Sequence, residues 1–354
     1  MSAEGRKKKI PVVVMGATGS VGQRFVSLLA DHPWFEVTAL TASQRSAGRP
    51  YREAVDWLQS SPIPSSMAEA SLLPTEPGSA RGAALVFSAL DSSVAGPVEE
   101  EFARAGLVVV SNSKNHRMDP DVPLLVPEVN ADHLELARHQ ETGRGAILTN
   151  PNCSTIGLVL ALRPLEERFG LEAVSVVTLQ ALSGAGVPGV AGMRAVDNVI
   201  PFIGEEEEKM ERETRKILGR LAGDRIEPHG VRVSAQCNRV AVIDGHTECV
   251  SVKLGRKATA AELRAAWTGF EGEPQRLGLP SAPKPPIRYL DAPDAPQPRL
   301  HRDLEGGMAA SVGRLRPCEV LDWKFVTLSH NTVRGAAGGA ILVAELAVEK
   351  GLLG

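Results

Sequence analysis

Four cysteines in 354 residues, none of them in a CxxC pair, leave this chain without a disulfide framework or a zinc ribbon. Cys153, Cys237, Cys249 and Cys318 are widely spaced, a usage that suits a reducing compartment. No apolar run approaches the roughly 18 residues that a membrane-spanning helix needs. The apolar segment from Ile10 runs straight into a glycine motif rather than a small-residue cleavage site, so it does not read as a signal peptide. A net charge of -3 offers no basis for binding nucleic acid or an anionic membrane. The basic start, Arg6-Lys7-Lys8-Lys9, reads as a solvated lead-in to the first strand. What remains is a globular composition, 43% hydrophobic and 23% charged, long enough for two domains. These features predict a cytoplasmic protein that acts on small molecules and holds no metal.

Two patterns follow one another along the chain. Ile10 to Met15 is a β-branched apolar run, as in a strand buried on both faces. The turn Gly16 to Gly22 comes next, then a helix from Val21 to Ala30 and a second strand from Phe35 to Leu40. Further strands are predicted at Leu85 to Ala89, Leu107 to Ser111 and Ala146 to Thr149, with a helix from Pro97 to Ala105. This alternation predicts an α/β domain with a Rossmann-type parallel sheet over residues 1–152. Beyond Cys153 the runs at Val174 to Leu182, Val231 to Ile243, Cys249 to Leu254, Ala310 to Arg316 and Val320 to Leu328 have few helices between them. They predict an α+β domain with a mixed or antiparallel sheet over residues 153–330. Eight prolines between Pro274 and Pro298 predict an extended surface excursion, open to wrapping a partner subunit. The small-residue-rich helix at 331–354 is built for close approach to another element.

The chemistry concentrates in a few motifs. Gly16-x-x-Gly19-x-x-Gly22 lies between a strand and a helix, where glycines permit a tight turn and close approach of backbone to a pyrophosphate. The second strand ends in Thr41-Ala42-Ser43-Gln44-Arg45-Ser46 with no carboxylate for a ribose hydroxyl. Ser43 and Arg45 suit a 2′-phosphate, which predicts NADP(H); an exposed loop arginine is the plainer reading. Cys153 stands in Asn150-Pro151-Asn152-Cys153-Ser154-Thr155, where Asn152 is a good cap and an apolar helix follows. A thiol in a first helical turn is expected to shift toward thiolate. His246, beside Gly245 in a predicted turn, and Arg239, seven residues earlier, suit a substrate carboxylate. A lone histidine is otherwise more often structural. Glu206 and Lys209 lie in a charged helix whose plain reading is a solvated face. Lys114 and Arg117 follow a parallel strand, where anions bind.

Together these residues resemble the aspartate-semialdehyde dehydrogenase family, in particular its archaeal and fungal-like branch. The resemblance runs from Gly16-Ala17-Thr18-Gly19 to the Asn331 to Gly339 run. It is carried by Asn150 to Thr155, Gln180 to Gly186, Gly204 to Met210 and Arg239 to Glu248. It implies reduction of L-aspartyl 4-phosphate to L-aspartate 4-semialdehyde by NADPH, with Cys153 as nucleophile, His246 as an acid/base, a role that requires titration near neutrality, and Gln180 positioning the acyl group. Arg239 would hold the α-carboxylate and Glu206 the amino group, beside Asn152. Lys209, Arg117 and Lys114 would take the phosphate. Gly16, Thr18, Gly19, Ser20, Val21, Gly22, Ser43, Arg45, Ser46, Ser183, Gly184, Gly186 and Asn331 would meet NADP(H). It further implies a homodimer or homotetramer, with the C-terminal helix completing the first domain. A malonyl-CoA reductase on the same scaffold is the nearest alternative. An NADP-binding redox sensor without turnover is the alternative from another class.

Overall fold

The computed structural model describes residues 8–186 and 189–353, so Arg6 and Lys7 of the basic lead-in lie outside the described residues. The first sheet is built from β1 (Ile10–Met15), β2 (Phe35–Ala42), β3 (Leu73–Pro74), β4 (Leu85–Ser88), β5 (Val108–Ser111) and β6 (Ala146–Thr149). Its order is β3-β2-β1-β4-β5-β6, every pairing parallel. Such a sheet is buried on both faces, which is why Val12, Val13, Val14 and Met15 are all solvent-free. Strand order reverses between β1 and β4, the place where ligands sit against the carboxyl ends of a doubly wound sheet.

The second sheet takes β7 (Leu171–Gln180), β8 (Val199–Ile200), β11 (Arg232–Val240), β12 (His246–Leu254), β13 (Ile287–Leu290), β14 (Ala310–Pro317) and β15 (Trp323–Ser329). Between these in sequence lies a separate two-stranded hairpin of β9 (Arg220–Ala222) and β10 (Arg225–Glu227). The seven strands run β13-β14-β15-β12-β7-β11-β8, with antiparallel and parallel neighbours mixed. A parallel sheet followed by a mixed one is the architecture implied by the sequence.

Along the chain the longer helices are α1 (Ser20–Leu29), α2 (Ser92–Arg104), α3 (Cys153–Phe169), α4 (Glu206–Ile217), α5 (Ala260–Thr268) and α6 (Gly338–Glu349). Helix α3 is apolar almost all round and forms one core with the second sheet, α5 and Trp267. Helix α6 is buried along nearly its whole length and packs into the core of the first sheet.

Several expectations are corrected. Helix α2 starts five residues before Pro97, because Asp91 accepts the Ser93 N–H at 2.9 Å and caps it there. The proline-rich stretch is no free excursion. It holds a short helix, Glu273–Leu277, and the edge strand β13, parallel to β14. Ser281 N–H and Oγ also donate to the buried Glu345 carboxylate of α6, which accepts from His32 Nε2 at 2.8 Å as well. The prolines fall outside the strand: Pro285 and Pro286 come just before β13 and Pro293 follows it, so none interrupts its ladder.

Candidate active site

Cys153 opens α3 because the chain before it has to straighten. β6 ends at Thr149, Pro151 has no N–H to continue a strand ladder, and Asn152 Oδ1 accepts the Ser154 and Thr155 N–H groups at 2.9 and 3.2 Å. The C-terminal segment closes on it from the far side. A side chain at Gly335 would come within 2.7 Å of Cys153 Cβ, so only glycine allows this approach.

His246 is not in a turn: it is the first residue of β12, paired with Ser329 of β15. Its Nε2 lies 3.2 Å from Cys153 Sγ, and Ala181 N–H donates to its Nδ1 at 3.0 Å. A backbone donor makes Nδ1 the acceptor, so the neutral ring carries its proton on Nε2, aimed at the sulfur. Burial, helped by Arg239 and His330, pulls the imidazole down to about 3. The expectation of a histidine titrating near neutrality therefore fails for the ligand-free chain, where the ring is a neutral donor. The expected thiolate fails as well. Burial pushes the Cys153 thiol up to about 12, with Glu206 adding to the rise and Arg239 and Arg117 opposing it. Loss of solvation outweighs the first-turn amides.

Around this pair the sheet face is polar where it would otherwise be apolar. Glu206 Oε1 accepts from Asn152 Nδ2 at 2.8 Å and from Gln180 Nε2 at 3.1 Å, and its Oε2 lies 4.0 Å from Lys209 Nζ. Within the glutamate run, Glu206 is thus the buried one that joins Cys153. The Glu205 side chain is 64% exposed and pairs with Lys114 and Lys209, while Glu207 accepts the Cys237 N–H. Arg239, near the end of β11, donates through Nη1 to Ala181 O at 2.6 Å, and the rest of its fork has no hydrogen-bond partner among the described residues. A Cβ on Gly184 would meet Arg239 Nη1 at 2.8 Å and His246 Nε2 at 3.2 Å, so the Ser183–Gly186 loop lies directly over both. Burial, with the Glu206 charge adding to it, raises the Glu248 carboxyl well above the usual carboxylate range.

Lys114, Arg117 and Lys209 line one cavity of about 300 Å³ together with Arg212 and Glu213. Arg117 is buried in it, donating to Glu213 Oε1 at 2.9 Å and to Asn112 O at 2.8 Å. Sequence reasoning missed Arg212 and Glu213; the available signal was their place three and four residues beyond Lys209 on the same helix.

The glycine turn has the close packing its mechanism requires. Gly16 has φ +70°, and a Cβ on Gly22 would fall 2.1 Å from Gly16 O, so α1 presses on the turn. Gly19 caps α1 in an extended conformation, Thr18 O accepts from Gln23 Nε2, and Val21 packs on the core. Ser20, Ser183, Gly186 and Thr332 line a cavity of about 360 Å³ between the turn and the Ser183 loop. Asn331 faces that loop, donating to Ser183 Oγ and accepting the Gly245 N–H, both at 2.8 Å. Ser43, Arg45 and Ser46 lie apart, in the turn after β2, and the Arg45 guanidinium has no ion-pair partner among the described residues. An unpaired cation, no carboxylate at the strand end and a helix N-terminus behind glycines fit a dinucleotide with a 2′-phosphate.

Comparison with known proteins gives consistent matches. The profile described as "Semialdehyde dehydrogenase, NAD binding domain" matches residues 11–137, and "Semialdehyde dehydrogenase, dimerisation domain" matches residues 162–334. The aspartate-semialdehyde dehydrogenase of Schizosaccharomyces pombe is 49% identical, covering 97% of this chain and 99% of its own. That of Archaeoglobus fulgidus is 48% identical with the same coverage. A crystal structure of aspartate semialdehyde dehydrogenase with NADP from Candida albicans superposes with a TM-score of 0.90 at 45% identity, covering 96% of this chain and 99% of that one.

Proposed function

We infer the roles of the site residues from one premise: the chain belongs to the aspartate-semialdehyde dehydrogenase family. Its reaction is the reversible NADPH-dependent reduction of L-aspartyl 4-phosphate to L-aspartate 4-semialdehyde and phosphate, on the route to lysine, threonine and methionine. A malonyl-CoA reductase is not supported by the relatives, which are aspartate-semialdehyde dehydrogenases over their whole length. The observation that carries the residue assignment is the 3.2 Å contact between Cys153 Sγ and His246 Nε2, in the first turn of α3 and beside Glu206 and Arg239.

Arg239 holds the α-carboxylate through the free part of its fork, and Glu206, steadied by Asn152 and Gln180, holds the amino group. Lys114, Arg117 and Lys209 take the phosphate. Arrival of the substrate ammonium on Glu206 cancels the charge that helps to hold the thiol protonated, so binding itself favours the thiolate. Sulfur attacks the acyl carbon, a C–S bond forms as the C–O bond to phosphate breaks, and the thiol proton leaves with phosphate. The Cys153 N–H, the first-turn amide of α3 that Asn152 does not take up, and His246 Nε2–H donate to the oxygen that becomes negative. The glycine turn, with Ser43 and Arg45 at the 2′-phosphate, would hold NADPH, which when bound supplies a hydride to the acyl carbon; the C–S bond breaks as the aldehyde forms, and the Cys153 sulfur is released as thiolate. Phosphate is a far better leaving group than hydroxide, which is why the acyl phosphate, not the free acid, is reduced.

We assign residues 1–152, with the segment 331–354, to cofactor binding and 153–330 to catalysis and self-association, in a cytoplasmic homodimer or homotetramer. The dimerisation-domain match over residues 162–334 supports self-association through the second domain. No helix of the described residues is long and apolar enough to cross a membrane.

Phosphate-dependent reduction of NADP⁺ by aspartate semialdehyde tests the activity, with arsenate replacing phosphate as acceptor of the acyl group. Absence of turnover with either oxyanion would reject it. Glu206→Gln tests the gating of the thiol. It should raise KM for the semialdehyde yet speed alkylation of Cys153 in the ligand-free enzyme about tenfold, because the neutral amide no longer opposes the thiolate. Slower alkylation would remove Glu206 from control of the sulfur.

A further inference from the structure

Helix α4 carries Glu206, Lys209, Glu213 and Lys216 at offsets of three, seven and ten, spacings that put all four on one face. The first two belong to the substrate groups above. The last is buried, 5% exposed, and its ammonium donates to three backbone carbonyls: Arg117 O at 2.8 Å, Asp119 O at 2.8 Å and Val122 O at 2.9 Å. Three donors are the full inventory of an ammonium, and all three go to one loop. No carboxylate lies within ion-pair distance of Lys216 among the described residues.

We propose that Lys216 is a positioning residue for the reaction: its ammonium, caged by the carbonyls of Arg117, Asp119 and Val122, fastens the loop bearing Lys114 and Arg117 to the helix bearing Glu206 and Lys209. It thereby sets the span over which the phosphate is gripped. The inference rests on the reading that these cations hold the phosphate. Two of them stand on the loop after β5 of the first sheet and one on a helix packed against the second sheet. Their separation therefore depends on what joins loop to helix. Glu213 pins the Arg117 side chain, with its other oxygen accepting the Asn152 N–H at 2.7 Å, and Lys216 pins the loop backbone. An apolar residue of similar length would fill the space and leave the Arg117 and Val122 carbonyls unpaired, with only the Val122 N–H remaining on that of Asp119, a loss the loop can make good only by moving toward water.

The groups facing Lys216 are Asp119 and Asp121 from the loop, Glu213 from its own helix, and His133 and Arg117. Burial pulls the ammonium down to about 8 against the pull of Asp119, Asp121 and Glu213. His133 is held below its ordinary value by burial, so it is already neutral in that range. Raising the pH through about 8 takes the proton from Lys216 and one strand from the cage.

Steady-state oxidation of aspartate semialdehyde by the full-length enzyme, with inorganic phosphate varied, tests this. Lys216→Met should raise KM for phosphate about tenfold or more while KM for the semialdehyde and Kd for NADP⁺ stay within about twofold. A phosphate KM unchanged in a variant that still binds NADP⁺ overturns the proposal. Should that variant not fold, Lys216→Arg decides. The wild-type phosphate KM should climb between about pH 7.5 and 9.5, and the permanently charged guanidinium should flatten that climb. An equal climb in both overturns it. Arg117→Leu is the control: if it leaves phosphate KM unchanged, the phosphate-site reading fails first, whereas a rise there with none in Lys216→Met condemns the fastening role alone.

Discussion

Replacing Cys153 by serine lowers kcat/KM for aspartate semialdehyde by about four orders of magnitude or more, while NADP⁺ still binds within about twofold of the wild type. The hydroxyl is a much weaker nucleophile in a site where even the thiol is held neutral by burial. Nothing in the fold should suffer, because Asn152 caps α3 through backbone N–H groups that the substitution does not touch. Stopped-flow titration of cofactor binding beside steady-state rates makes the check, and turnover within tenfold of wild type would strip Cys153 of its role. The same burial predicts that the ligand-free wild type reacts slowly with iodoacetamide at pH 7 and gains rate with each unit of pH toward about 12. A thiol whose pKa is raised holds its proton to higher pH, so the reactive thiolate grows only as the solution becomes alkaline.

Arg239→Lys should raise KM for the semialdehyde roughly ten- to a hundredfold with a smaller change in kcat, the loss expected when a charged two-point hydrogen bond becomes a one-point one. Lysine keeps the charge, so a loss of this size isolates the fork. Arg239 Nη1 is also bonded to Ala181 O, and the neighbouring Ala181 N–H sets the His246 tautomer. Lysine at 239 should therefore blur the pH profile of kcat as well. An unchanged KM would show that the α-carboxylate is held elsewhere.

Much of this site was legible because local rules produced it. The Gly16 to Gly22 turn, the Asn152 cap and the cations after β5 each follow from spacing within a dozen residues, and the strand pattern of the first domain is that of a sheet buried on both faces. What escaped was decided by tertiary placement. A first-turn thiol and a histidine read as poised near neutrality, yet burial against the second sheet drives one up and the other down. Four consecutive glutamates are equivalent in sequence, and only the packing of α4 on α3 separates buried Glu206 from exposed Glu205. His246 read as a turn residue because Gly245 precedes it, and β12 starts at the histidine itself. The proline-rich stretch read as loose because no local pattern announces that Glu345 of a distant helix will hold Ser281.

Gly335 touches Cys153 across 182 positions of sequence, with no room for a single methyl between them. A ribosome therefore delivers the nucleophile long before the segment that walls it. During that interval the nascent chain carries an unsheltered sulfur, and the enzyme acquires its working pocket late in its own synthesis.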